Sequence, residues 1–319
     1  MKNKIIACAV LLTTNTVASI EIDDQTLAQA QKKAQTIDIA HALKSPQSIQ
    51  QLLGQQHSLV DKTLIQATLL KALGEKKPTN AQKVWVEQLT QSKNILQIEN
   101  PDHPSQLIEV VNTARQAENT KMQWQINDKA DAFSTQWLNQ DWQWQPFINN
   151  ASHVNYLALG KALANADLAT VNWLQAELKF QTINDISPQL IALLSNKKVD
   201  TQLLESLWQM PSDQYSFQVL QMLPDKVEQE QAITLIIKAS NNSALTSQAL
   251  ILLAKNYADE ESVQDYLFEQ LANDKNKWHA ASAIAYIKND QFQQRIFKRQ
   301  QQSPAPAINF ATKLIMQEQ

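Results

Sequence analysis

The histidines His41, His57, His103, His153 and His279 are the first residues to test for chemistry. None pairs with another at i, i+4, and the HExxH arrangement that holds zinc on a helix is absent. His103 is the most suggestive. It follows Asp102 in the Pro-flanked stretch Asn100-Pro101-Asp102-His103-Pro104-Ser105 and could serve as a loop base or ligand. The same residues are turn formers, with Asn100 and Asp102 bonding nearby backbone. His279 lies among alanines in a helical pattern, where a packed or half-exposed ring is expected. Glycoside hydrolysis needs two carboxylates placed across a cleft. Asp128 and Asp131 are close in sequence, as are Asp259, Glu260 and Glu261, and distant acids can also converge. No GxSxG, Walker loop or EF-hand loop occurs. The sequence therefore assigns no catalytic, cofactor-binding or metal-binding residue.

The densest unusual feature is aromatic. Trp137, Trp142, Trp144 and Phe147 fall within eleven residues, with Trp124 and Phe133 upstream. Tryptophan is common at binding hot spots and stacking platforms. It also fills irregular cores where a small sheet meets helices. Trp137, Trp142 and Trp144 are thus candidate partner contacts as well as candidate core. Extended backbone at Trp142-Gln143-Trp144 would put both outer rings on one face.

Elements to position such groups are constrained by glycine. The chain has three, Gly54, Gly74 and Gly160, where average usage of about 7% would give roughly 22. That disfavours phosphate-cradling loops, nucleophile elbows and tight hairpins, and suits helices. Gly54 and Gly74 follow leucine-rich segments, where a helix end favours a left-handed residue. Gly160 lies inside a helical pattern, where close packing would use it. The abundant glutamines read as solvated helix faces. A net charge of −3, with Arg115, Arg295 and Arg299 the only arginines, leaves no basic footprint for nucleic acid.

The N-terminus has the pattern of a secretory signal peptide: Met1-Lys2-Asn3-Lys4, an apolar run from Ile5 to Leu12, then polar residues and Val17-Ala18. Cleavage after Ala18 leaves Ser19 first, and the mature chain has no cysteine. That removes disulfides, thiolate zinc sites and a Cys nucleophile together. Ile5-Ile6-Ala7-Cys8 also resembles a lipobox, but the apolar run continues past Cys8, so lipidation there is the lesser alternative. No later run reaches the roughly 20 apolar residues of a membrane span.

Residues 19–93 read as an N-terminal helical region: Leu27 to Leu43, Ser48 to Leu53, Leu59 to Leu73 and Asn80 to Leu89. A small β element is expected over 94–127. It comprises Ile95–Glu99, a turn at Asn100–Ser105, Leu107–Val111, and the alternating Met122-Gln123-Trp124-Gln125-Ile126. A helix over 105–118 is the competing pattern. Residues 128–319 read as helices of about 10–16 residues, started at Ser187-Pro188, Asp200, Pro211-Ser212-Asp213, Pro224-Asp225, Ser243 and Asp259. Leu250-Ile251-Leu252-Leu253-Ala254-Lys255-Asn256 echoes Ala283-Ile284-Ala285-Tyr286-Ile287-Lys288-Asn289, 33 positions later. The run Trp278 to Ala285, after Leu267 to Asp274, resembles the second helix of a HEAT-type repeat, best over residues 243–300. The resemblance implies a mainly α fold with an α-solenoid in the C-terminal half. A non-repeating bundle is the alternative. Glu205-Ser206 and Glu261-Ser262 resemble the catalytic Glu-Ser pair of murein lytic transglycosylases, but neither is followed by that family's Gly-rich segment.

The expectation is an exported, periplasmic or secreted, non-catalytic helical-repeat protein. It would act as a scaffold for an unidentified protein partner in the cell envelope, with no nucleic-acid partner. The alternative is a cell-envelope glycan-binding protein or hydrolase with its site in a helical cleft.

Overall fold

The computed structural model describes residues 19–317. The expected signal peptide, Cys8 included, lies outside them. The described chain is mainly helical, with 18 α-helices and one three-stranded sheet. None of its helices is long and apolar enough to cross a membrane. It divides into two compact units between Lys129 and Ala130.

In the first unit β1 (Ile20–Glu21) precedes α1 (Asp24–Gln35), α2 (Ile39–Ala42), α3 (Pro46–Gly54), α4 (Leu59–Gly74) and α5 (Asn80–Leu89). Then come β2 (Ile95–Asn100), β3 (His103–Asn112) and the first part of α6 (Thr113–Leu138). Side chains start the helices. The Asp23 carboxylate accepts from the Thr26 N–H at 2.6 Å, Ser45 caps α3 ahead of Pro46, and Thr79 with Gln82 forms a reciprocal capping box. Helix α4 carries the core, with Ile65, Leu69, Leu70 and Leu73 fully buried. It packs on α1 and on the sheet. Strands β2 and β3 are antiparallel, with buried Leu96 opposite Val111, while β1 adds to β2 in parallel.

Several elements differ from expectation. The Leu27–Leu43 run breaks at Thr36-Ile37-Asp38, giving α1 and α2. The hairpin turn contracts to Pro101-Asp102, where the Asp102 N–H donates to Asn100 Oδ1 at 3.0 Å. Leu107–Val111 is strand, so the helical pattern begins only at Thr113. Met122–Ile126, expected as a strand, is helix within α6. A second pattern decides this. Thr120, Trp124 and Asn127 fall at i, i+4 and i+7 and donate to the carbonyls of Leu70 (3.0 Å), Leu73 (2.8 Å) and Gly74 (2.9 Å). Those carbonyls lie at the C-terminal end of α4, where a helix leaves acceptors open. A strand could not present the three donors on one side.

The second unit continues α6. It adds α7 (Trp144–Asn149), α8 (His153–Asn165), α9 (Leu168–Leu178), α10 (Pro188–Lys197), α11 (Thr201–Gln209) and α12 (Gln214–Lys226). These are followed by α13 (Gln229–Ala239), α14 (Thr246–Asn256), α15 (Glu261–Ala272), α16 (Lys277–Ile284), α17 (Asp290–Gln302) and α18 (Pro306–Gln317). The expected restart at Pro224 does not occur. Pro224 lies inside the last turns of α12, where its missing N–H removes a bond near the helix end, and α13 starts at Gln229.

Even-numbered helices pack in sequence: α10 against α8 and α12, α14 against α12 and α16, and α16 against α18. Helix α11 packs on α13. Each helix of the even row from α8 on buries apolar residues fully, among them Leu159, Leu190, Leu220, Leu250, Ala280 and Ala311. Successive members of this set are 30 or 31 residues apart. Gly160 sits where α8 meets α10. A Cβ there would lie 3.2 Å from Leu193 Cδ2, so close approach explains this glycine.

No glycine has positive φ. Gly54 and Gly74 end α3 and α4 in right-handed conformation, contrary to the left-handed caps expected. A Cβ on Gly54 would meet nothing within 4 Å. Gly54→Ala should therefore raise unfolding free energy by about 0.5–1 kcal/mol, read by urea denaturation. A loss of stability would show that this helix end needs glycine.

Candidate functional site

The three candidate contact tryptophans come together where α6 ends. Asn139 follows the helix and Gln140 turns left-handed, at φ 54°. The Gln140 N–H donates to Trp137 O (3.1 Å) and the Asp141 N–H to Gln136 O (2.9 Å). This is the paired-bond Schellman closure that glycine usually makes. The turn brings Trp142 back onto α6. Its ring meets Phe133, Trp137 and Trp144 edge-on, with centroids 5.0, 5.9 and 5.2 Å away. Phe147 packs against Trp142 and Trp144, and Tyr156 against Phe147.

Trp137, Trp142 and Trp144 are all buried, at 5%, 7% and 2% exposure. Their faces are spent on one another, so they form core of the second unit and offer no ring to a partner in this conformation. The Trp144 Nε1–H donates to Leu174 O at 3.0 Å, whereas the buried Nε1 atoms of Trp137 and Trp142 have no acceptor.

The other sequence candidates do not converge. His103 opens β3 and is exposed. His279 is an exposed residue of α16. Glu205 is ion-paired with Lys238, and Glu261 lies in the first turn of α15. Among the described residues no group of three or more His, Cys, Asp or Glu side chains could hold a metal ion. An acidic hollow of about 820 Å³ forms beside β1 and the hairpin, with Glu21, Asp23, Asp24 and Glu99 in its wall. The Asp23 carboxylate there is already committed. Hydrogen bonds from Thr26 hold its pKa below the ordinary carboxylate value while it caps α1.

Sequence reading missed a more distinctive hollow. A cavity of about 700 Å³ opens between α15, α17 and the start of α18. Phe268, Leu271, Ala272 and Ile308 supply its apolar surface. Arg295, Lys298, Arg299 and Gln302 line the α17 side, and Glu269 the α15 side. The α17 residues fall at i, i+3, i+4 and i+7, the stripe one helix presents to a neighbour. That spacing was available in the sequence, but it lay within a run of exposed polar residues that gave no reason to single it out. Arg295 is internally engaged. Its guanidinium bonds Asp265 at 2.7 Å and Gln264 at 3.2 Å and stacks 4.8 Å over the Phe268 ring. Lys298 and Arg299 are exposed and have no ion-pair partner among the described residues.

A smaller cavity, about 390 Å³, lies between α11 and α13, lined by Trp208, Gln209, Lys238, Asn241 and Asn242 together with Glu205. Five residues of the smaller hollow have counterparts in the larger one. About 60 residues on, two periods of the buried pattern, Phe268 stands for Trp208, Glu269 for Gln209, Arg299 for Lys238, Gln302 for Asn241 and Ser303 for Asn242. In the first hollow Glu205 neutralises Lys238. At the larger hollow Asp265, 60 positions after Glu205, takes Arg295 instead, and Arg299 has no such partner among the described residues.

The chain matches no known protein family, no curated protein and no solved structure.

Two substitutions separate the indole bonds in the aromatic cluster. Trp142→Phe removes an unpaired N–H, while Trp144→Phe strips Leu174 O of its donor. Trp144→Phe should cost about 1–3 kcal/mol more in urea unfolding; equal losses would mean the Trp144 bond contributes nothing. Gln140→Gly should add about 0.5–1 kcal/mol of stability, because glycine relieves the left-handed strain. A lower denaturation midpoint for that variant would refute the strain.

Proposed function

We propose that this protein is exported to the cell envelope and acts there as a non-catalytic interaction scaffold built on stacked helix pairs, an α-solenoid over its C-terminal half. The observation that supports the repeat reading is that each even-numbered helix from α8 to α18 carries fully buried residues, among which Leu159, Leu190, Leu220, Leu250, Ala280 and Ala311 keep a spacing of 30 or 31 positions. Polar bonds at matching separations support it. Lys197 Nζ reaches Ala164 O across 33 positions and Lys226 Nζ reaches Asn196 O across 30. Gln231 bonds Thr201 across 30, and Asn289 bonds Asp259 across 30. A period near 30 residues is shorter than the roughly 40–47 of HEAT repeats. The HEAT-like character is therefore proposed for the pairing and stacking of helices, with a tighter repeat unit.

Stacked repeats expose long surfaces suited to protein partners. The glycan or hydrolase reading would draw on a Trp-lined cleft with facing acids. Here the candidate tryptophans are core and Glu205 is held by Lys238, so the scaffold reading is preferred. Export rests on the basic, apolar and small-residue order of residues 1–18.

Two measurements test the reading. Fractionation of cells expressing the full chain, followed by N-terminal sequencing, should recover a periplasmic or secreted form beginning at Ser19. An intact Met1 form confined to the cytoplasm would refute export. Affinity capture with the processed protein from envelope extract, read by mass spectrometry, should return a reproducible protein partner. Capture of none would remove the scaffold role.

A further inference from the structure

We infer that the cavity between α15, α17 and α18 is a docking site for an acidic peptide segment of a partner protein. Lys298 and Arg299 would take its carboxylates, and Phe268, Leu271 and Ile308 an adjoining apolar side chain. The inference rests on the scaffold reading and names where, and by what chemistry, the scaffold would hold its partner.

Five observations carry it. The cavity volume, about 700 Å³, lies within the roughly 300–1,000 Å³ of small-ligand pockets, enough for a few side chains of a bound segment. Its floor is apolar and its α17 side cationic, the pairing that accepts an apolar residue flanked by acids. The equivalent hollow between α11 and α13 is charge-balanced by Glu205 and Lys238, so this repeat position does not require surplus cations for packing. In a chain of net charge −3, two of the three arginines stand at this one cavity. Finally, Ala305 and Ile308 place the first turn of α18 in the wall, and the positive end of that helix dipole adds to the preference for an anion.

Lys298 and Arg299 also lie in the last turns of α17, where cations suit the helix dipole. That role would be met by either residue alone, and it does not account for the apolar floor beside them. Arg295 acts differently. Held by Asp265 and Gln264 and stacked on Phe268, it fixes the shape of the wall and keeps that ring in place. Glu269 on the opposite side repels acids toward α17, which gives a bound segment a direction across the cavity.

The test uses the processed protein and a fluorescein-labelled hexapeptide, Glu-Leu-Glu-Leu-Glu-Leu, in a fluorescence anisotropy titration. The wild type should bind, with affinity falling as salt rises. A Gln-for-Glu version of the peptide should not bind. K298E/R299E should weaken binding about tenfold or more. K298Q/R299Q removes both charges without reversing them and keeps good helix formers in α17, and should weaken it by a smaller factor. K275E/K288E changes net charge equally at exposed lysines outside the cavity wall and should leave binding within about twofold of wild type. Circular dichroism confirms that each variant is folded.

Unchanged binding in both cavity variants overturns the site. An equal loss in K275E/K288E overturns it too, since bulk charge would then explain binding. If fluorescein-labelled phosphotyrosine or laurate binds the cavity while the acidic peptide does not, the peptide class is wrong. Envelope capture repeated with K298E/R299E separates this inference from the scaffold reading. Partners retained equally by the variant refute the docking site and leave the scaffold standing. Peptide binding without any captured partner refutes the scaffold and leaves the site.

Discussion

Closing the C-terminal ends of helices is the constraint on which much of this structure turns. A helix ends with four carbonyls that its own backbone cannot satisfy. Most chains call on glycine in the left-handed conformation to help. This one has three glycines, none with positive φ. Helix α6 uses the left-handed Gln140, and at several other ends side-chain donors from neighbouring elements take part. The Gln82 carboxamide closes on Leu43 O at 2.8 Å, the Gln175 carboxamide on Lys198 O at 2.7 Å, and Asn242 on both Trp208 O and Met210 O. Thr120, Trp124 and Asn127 do the same at the end of α4. Glycine poverty and abundant Gln and Asn are therefore two sides of one solution, and tertiary packing inherits its geometry from it. A buried acceptor left without its donor costs about 1–3 kcal/mol, so each such pair fixes where one helix may lie against another.

The helical class was legible because it follows from local rules. Caps at Ser187, Asp200 and Asp213 and apolar stripes at helical spacing need only neighbouring residues, and the structure starts helices beside all three. The β2–β3 hairpin was likewise readable, from β-rich runs around a Pro-Asp turn. Failures came where a distant partner decides. Met122–Ile126 alternates apolar and polar, yet it is helix because Thr120, Trp124 and Asn127 answer the end of a helix some 50 residues earlier. The glutamines read as solvated surface, and Gln82 and Gln175 are buried donors instead. Nothing local distinguishes a solvated Gln from one that closes a helix end.

The candidate site was less legible than the fold for a related reason. Tryptophan drew attention because it is rare and large, and its size is what the core of the second unit uses. The α15–α17 cavity is made of ordinary residues whose significance lies in their correspondence with the α11–α13 hollow. That correspondence becomes visible only when Trp208 and Phe268, or Lys238 and Arg299, are seen in equivalent places. Glu205 pairs with Lys238 at one hollow while Asp265 pairs with Arg295 at the other, and that difference in pairing gives the two hollows different charge balance.

The side-chain closures also set an order of events during synthesis. Asn242 reaches back 34 positions to Trp208 O, Lys226 back 30 to Asn196 O, and Lys197 back 33 to Ala164 O. Each of these donors emerges from the ribosome well after the carbonyl it serves. Those three carbonyls therefore wait for a later segment of chain, whereas Lys198 O takes its donor from Gln175, which is made before it. A chain cut between such a carbonyl and its donor would leave that helix end to water, while the ends before it keep their partners.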